Sequence, residues 1–142
     1  IDYDLLVLTP PHRGAQLIVN SGLGDAQGWV PTDRETLQSK ADARIYVLGD
    51  ASDLPVSKSG SAAHFEAKVV VARLVGEVHG KPNDIRYTGE VMCFIETGEQ
   101  QATQIIFDYN NAPQPPQPRH YYHFEKALFN KAYWYLVPQG LV

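Results

Sequence analysis

Apolar and polar positions follow three different rhythms along the chain. Tyr3 to Thr9 is a largely apolar run stopped by Pro10 and Pro11, the pattern of a strand buried on both faces and ended by residues that cannot donate to a ladder. Gly14, Gly22, Gly24 and Gly28 then punctuate a turn-rich stretch, with Gly28 to Pro31 as a short strand and Thr32-Asp33 as a turn. Arg44 to Leu48 reads as a second buried strand and runs directly into Gly49-Asp50. Beyond it, apolar residues recur at Ala63, Ala67, Val70, Val71, Leu74 and Val78. That spacing predicts a helix from about Gly60 with a wide buried face, stopped by Gly80 and Pro82. The period then falls to two: Glu90 to Thr97 and Gln101 to Tyr109 predict strands joined by Gly98-Glu99-Gln100. Pro113 to Pro118 carries four of the ten prolines, an extended and stiff connection. His120 to Leu136 returns to helical spacing, with Tyr121, Phe124, Leu128, Ala132, Tyr135 and Leu136 on one side.

Composition narrows the function classes. With 142 residues, 44% of them hydrophobic, the chain can bury a core. A net charge of -4 lacks the basic excess that phosphate-backbone binding needs, so nucleic acid is an unexpected partner. The longest apolar stretch, Ala132 to Val137, is far short of the roughly 20 residues that cross a bilayer. Cys93 is the one cysteine, so neither an internal disulfide nor a cysteine-built zinc site is expected. The chain opens at Ile1 without an initiator methionine or a signal peptide, which leads us to expect a fragment.

Several residues carry candidate chemistry. A strand ending on Gly49-Asp50 can be a simple turn, or a ligand site in which glycine admits close approach and the carboxylate accepts hydrogen bonds from sugar or ribityl hydroxyls. The helix from Gly60 would aim its free N–H groups and positive dipole end at the same ligand. A reduced flavin, negative at the N1/C2-carbonyl edge of its ring, suits such an end. Lys58 in the intervening loop either adds a positive charge there or is a solvated surface lysine. Cys93 is a redox thiol only if a positive neighbour favours its thiolate; otherwise it is a buried strand residue. His120 and His123 read as a surface pair, and Ser57, Ser59 and Ser61 as loop and helix-cap groups.

Taken in order, Tyr3 to Pro11, Gly28-Trp29-Val30-Pro31-Thr32-Asp33, Ile45 to Asp53 (Ile-Tyr-Val-Leu-Gly-Asp-Ala-Ser-Asp) and Pro55-Val56-Ser57-Lys58-Ser59-Gly60 resemble the carboxyl-terminal half of the sulfide:quinone oxidoreductase group of flavoproteins. That group lies within the two-dinucleotide-domain disulfide reductase superfamily. The resemblance implies an α/β fold: an incomplete FAD/NAD(P)-binding flavoprotein fold with a carboxyl-terminal β-hairpin and helix. It implies FAD as cofactor, with Gly49, Asp50 and Ala51 at the ribityl chain and Lys58 and Gly60 near the flavin ring and quinone pocket. It also implies Cys93, in Tyr87 to Ile95, and Lys58 as catalytic residues, Cys93 acting with a second cysteine from earlier in the parent chain. Sulfide and quinone would be the substrates.

On that resemblance, residues 1–10 are expected to be the last strand of a nicotinamide-type domain, 11–82 the second part of an FAD domain, and 83–142 a hairpin and aromatic helix serving a membrane or dimer contact. Gly22-Leu23-Gly24 has Gln27 where a third dinucleotide-binding glycine belongs, so an amino-terminal FAD half is expected to be missing and the isolated piece inactive. A homo-oligomer on the surface of a prokaryotic plasma membrane is the expected setting of the parent, while the fragment itself is expected to be soluble. The alternatives are a flavoprotein subunit like that of flavocytochrome c sulfide dehydrogenase, delivering electrons to haem, and a cofactor-free docking or oligomerisation module. The last helix either packs its stripe on the hairpin or lies among lipid headgroups with Lys126, Tyr133 and Trp134.

Overall fold

The computed structural model describes residues 2–141. In chain order its elements are α1 (Gln16–Ser21), a single 3-10 turn (Gly49–Ala51), α2 (Gly60–Val78), β1 (Val91–Gly98), β2 (Gln101–Phe107) and α3 (His120–Leu136). This is a small α/β arrangement, and among the described residues its sheet is the antiparallel β1–β2 pair.

The elements with local signals form where the pattern predicts them. Ser59 caps α2 by accepting the Ala62 N–H on its side chain, and Gly80, at φ +63°, ends the helix by donating to Glu77. Between β1 and β2, Glu99 and Gln100 both take left-handed backbone (φ 51° and 56°), matching a tight hairpin to the strand twist.

The expected strands at 3–9, 28–31 and 44–48 do not form. Residues 3–9 make no ladder; Leu5 and Val7 are more than four-fifths exposed. The other two segments contribute one isolated bridge each, Val30 to Ser52 and Gln38 to Tyr46, with a third, Thr32 to Ser39, between them. A strand needs a partner at the right register, and the turn at Asp33 folds this stretch onto itself. Asp33 accepts the Glu35 and Thr36 N–H groups, and Leu37 turns left-handed at φ 61° to point its side chain into the core.

The core sits between one face of α2 and this loop. Leu37, Leu54, Val69, Val70 and Tyr87 form its centre, with Tyr46, Leu48, Val56, Phe65 and Tyr109 packed around them. The expected burial of Val71, Leu74 and Val78 is not observed: these are exposed, and the buried stripe of α2 is Ala62, Glu66, Val69, Val70 and Gly76. The stripe is set by what covers it. Tyr87 donates its N–H to Glu35 and Tyr109 its hydroxyl to Arg34, tying both ends of the hairpin to the 33–36 turn. Gly89, at φ +86°, leaves room for the Tyr109 ring, which a Cβ there would approach to 2.4 Å.

The extended proline segment returns along β2. Gln117 donates its N–H to the Thr103 hydroxyl, and Ala102 and Arg119 exchange both backbone hydrogen bonds. This sets α3 against the hairpin through Tyr122 on Phe94 and through Glu96, which takes His123 at 3.0 Å and Lys126 at 3.3 Å. Of the two readings of the α3 stripe, packing on the hairpin is not what forms: Tyr121, Phe124, Leu128 and Tyr135 are each more than half exposed.

Candidate functional site

The 3-10 turn is held by groups from three directions. Ala51 accepts the Val30 N–H at 2.9 Å, placing the turn beside Trp29. Ser52 closes it, donating both its N–H and its hydroxyl to the Gly49 carbonyl. From α2, the Glu66 carboxylate accepts the Gly49 N–H at 2.5 Å. Gly49 is needed twice over: its φ is +62°, and a Cβ would come within 3.3 Å of the Ala63 Cβ in the first turns of α2. The Gly-Asp turn is therefore seated on the amino-terminal end of the helix, with Asp50 exposed at its middle.

Lys58 is not a free surface lysine. Its Nζ donates to the Ser52 carbonyl at 2.5 Å and lies 5.1 Å from the centre of the Trp29 ring. Trp29 is placed by Asp25, whose Oδ1 accepts the Gln27 and Trp29 N–H groups. Asp50, Ala51, Lys58 and Trp29, together with His12 and Arg13, line one cleft of about 390 Å³. A larger hollow of about 550 Å³ lies at the other end of α2, around Val75, Gly76, His79 and Lys81, away from every candidate residue.

The remaining candidates sit at the edge. Gly60 opens α2, where first-turn N–H groups have no intrahelical partner, and a Cβ on it would meet nothing within 4 Å. The chain's own packing thus leaves this approach to the helix end open. Cys93, partly buried, stands in β1 opposite Ile105 and does not line the cleft. It is nevertheless tied to the same helix end, because its neighbour Met92 donates its N–H to the Ser61 hydroxyl at 2.9 Å. His120 and His123 bond Gln100 and Glu96, and among the described residues no group of three or more His, Cys, Asp or Glu could hold a metal ion.

Two residues of this site are absent from the sequence reading as functional groups. Trp29 was assigned only to a short strand. Glu66, 1% exposed, sits where an amphipathic helix rarely places a carboxylate. Its position four residues after Ala62 and three before Val69 was the available signal. Burial pushes its pKa up; the Gly49 N–H and then the Lys58 charge pull the other way, while Asp50 adds to the rise. Burial also raises the Tyr87 hydroxyl and pushes Tyr109 up to about 12, with the Glu66 charge the second cause in both.

The cleft can accept hydroxyl donors at Asp50 and present the Lys58 charge to an electron-rich ring edge, with the α2 end two residues further along the chain, so the residues present fit the ribityl and ring portions of a flavin.

No protein-family model matches the chain. It is 32% identical to the mitochondrial sulfide:quinone oxidoreductase of Schizosaccharomyces pombe over 93% of its own length, and 31% identical to that of Dictyostelium discoideum over 94%. The mouse mitochondrial protein of the same name is 29% identical over 80% of the chain. Among solved structures, a chain of the Tetrahymena thermophila mitochondrial ATP synthase F1Fo tetramer superposes over 73% of this chain with a TM-score of 0.64 and 28% identity, using 25% of that chain. The chain spans 31% of the length of the yeast and Dictyostelium relatives and 25% of the mouse one. These relatives are mitochondrial and lend no support to the expected prokaryotic plasma membrane, and among the described residues no helix is long and apolar enough to cross a membrane. The chain resembles a carboxyl-terminal portion of a sulfide:quinone oxidoreductase.

Proposed function

We propose that this chain is the carboxyl-terminal portion of an FAD-dependent oxidoreductase of sulfide:quinone type. The observation that carries the reading is the single cleft in which Asp50, Ala51 and Lys58 meet beside the amino end of α2. On this reading Gly49, Asp50 and Ala51 hold the ribityl chain, and Lys58 and the Gly60 end of α2 stand at the flavin ring and the quinone site. Bound FAD supplies a two-electron acceptor that no side chain of the protein can replace. Sulfide is the reductant, giving up two electrons as its sulfur is taken by a cysteine pair that includes Cys93, and a quinone takes up the two electrons.

Cys93 suits its part through position. Its neighbour Met92 is anchored to Ser61 in the first turn of α2, which keeps this part of β1 beside the helix end. Residues 11–82 then belong with the FAD-binding part and 83–142 form a carboxyl-terminal module, whose outward aromatic stripe on α3 meets a membrane surface where quinone dissolves. Replacing Cys93 by Ser in the full-length parent tests the chemistry. Sulfide-dependent bleaching of the flavin absorbance should be abolished while the absorbance of the bound oxidised flavin is retained; unchanged bleaching would remove Cys93 from the reaction.

A further inference from the structure

The least expected group in the molecule is a carboxylate in its core. Glu66 lies on the buried stripe of α2, 1% exposed, between Ala62 and Val69, where an alanine or leucine would satisfy the packing. Among the described residues it forms no ion pair. It accepts a hydrogen bond instead from the Gly49 N–H, the first amide of the turn that presents Asp50 to the cleft. That amide needs an acceptor because Gly49 enters the turn with left-handed backbone, and no carbonyl of the 3-10 turn lies behind it.

We infer that Glu66 is a positioning residue: its ionised carboxylate holds the Gly49–Ala51 turn in the shape that aims Asp50 into the cleft, so ligand binding at Asp50 depends on the protonation of Glu66. The inference rests on the flavin reading only for the identity of the ligand. The groups that face Glu66 are Lys58 and Asp50 from the loops at the cleft and Tyr87 and Tyr109 from the two ends of the hairpin. Burial favours the neutral acid and the Gly49 N–H favours the carboxylate. The two effects act in opposite directions on one proton, the arrangement needed for a group that changes charge state in response to its surroundings. An ionised acceptor also makes a stronger hydrogen bond than a neutral one.

The test is the amide resonance of Gly49 in the nitrogen-15-labelled chain, followed as pH is varied. In the native chain the Gly49 amide proton should move downfield as Glu66 ionises, and in Glu66→Gln it should not move over the same range. A Gly49 resonance that ignores pH, or that titrates identically in Glu66→Gln, overturns the inference. FAD is then titrated into the flavin-free full-length parent with and without Glu66→Gln. Glu66→Gln should bind it about tenfold more weakly, the loss expected for one charge-assisted hydrogen bond, while its thermal midpoint at neutral pH stays equal to or above that of the native chain. A merely structural role moves affinity and midpoint down together, so that result, or unchanged affinity, also counts against positioning. If the full-length parent binds no FAD but Gly49 still titrates through Glu66, positioning stands and the flavin reading fails.

Discussion

Asp50 is exposed, yet everything around it is constrained, and that contrast separates binding effects from folding effects at this site. Asp50→Asn removes charge from an exposed side chain and should leave the urea midpoint unchanged, while weakening FAD binding by the full-length parent about tenfold. Gly49→Ala is the converse. It forces a Cβ into left-handed backbone and against Ala63, and should cost about 1–2 kcal/mol of stability by urea unfolding. Glu66 adds a pH dependence whose sign follows from its raised pKa. A carboxyl that titrates higher in the folded than in the unfolded chain favours folding below the ordinary value of 4.5, and that contribution is lost as pH rises through the folded value. Stability of the native chain relative to Glu66→Gln should therefore fall with rising pH across that window; a flat difference would mean that burial does not perturb Glu66. Gly49-Asp50 and Lys58 were legible as candidates because their residue types and spacing carry the signal. Glu66 was not, because helical periodicity registers apolar positions and passes over a charged residue on the same stripe.

The elements divide by whether their signals are local. α2, α3 and the hairpin lie within about two residues of their expected ends, because capping, period and turn residues all act within a few positions of the backbone they specify. The segments 3–9, 28–31 and 44–48 have strand composition, but composition cannot supply a partner, and in the fold two of them form isolated bridges and the first none. The faces were equally illegible. Val71 and Val78 on α2 and the Phe124 stripe on α3 are apolar and exposed, because the covering segments decide which side is buried. One prediction belongs to this scale. Ser61→Ala leaves the Met92 N–H without its acceptor where β1 meets α2, and should cost about 1–2 kcal/mol. Amide exchange at Met92 should quicken selectively; exchange that stays slow would show that β1 is held beside α2 by other contacts.

For the whole molecule, the two surfaces to which the proposal gives a role lie on different parts of the fold. The cleft is lined by residues between His12 and Lys58, whereas the exposed aromatics belong to α3. Membrane contact and cofactor binding should therefore be separable. Phe124→Ser with Leu128→Ser should abolish co-sedimentation with anionic liposomes and leave FAD binding intact. If the native chain stays in the supernatant, the stripe serves another purpose. The central claim, that the Gly-Asp turn and the amino end of α2 grip one cofactor, is tested most directly by mapping amide shifts of this segment, labelled within the flavin-free full-length parent, during an FAD titration. The account predicts saturable changes confined to residues near Gly49 to Ala51, Trp29 and Lys58 to Ser61, lost in Asp50→Asn. An unchanged spectrum, or changes centred on α3 or on the hollow near His79, would contradict it.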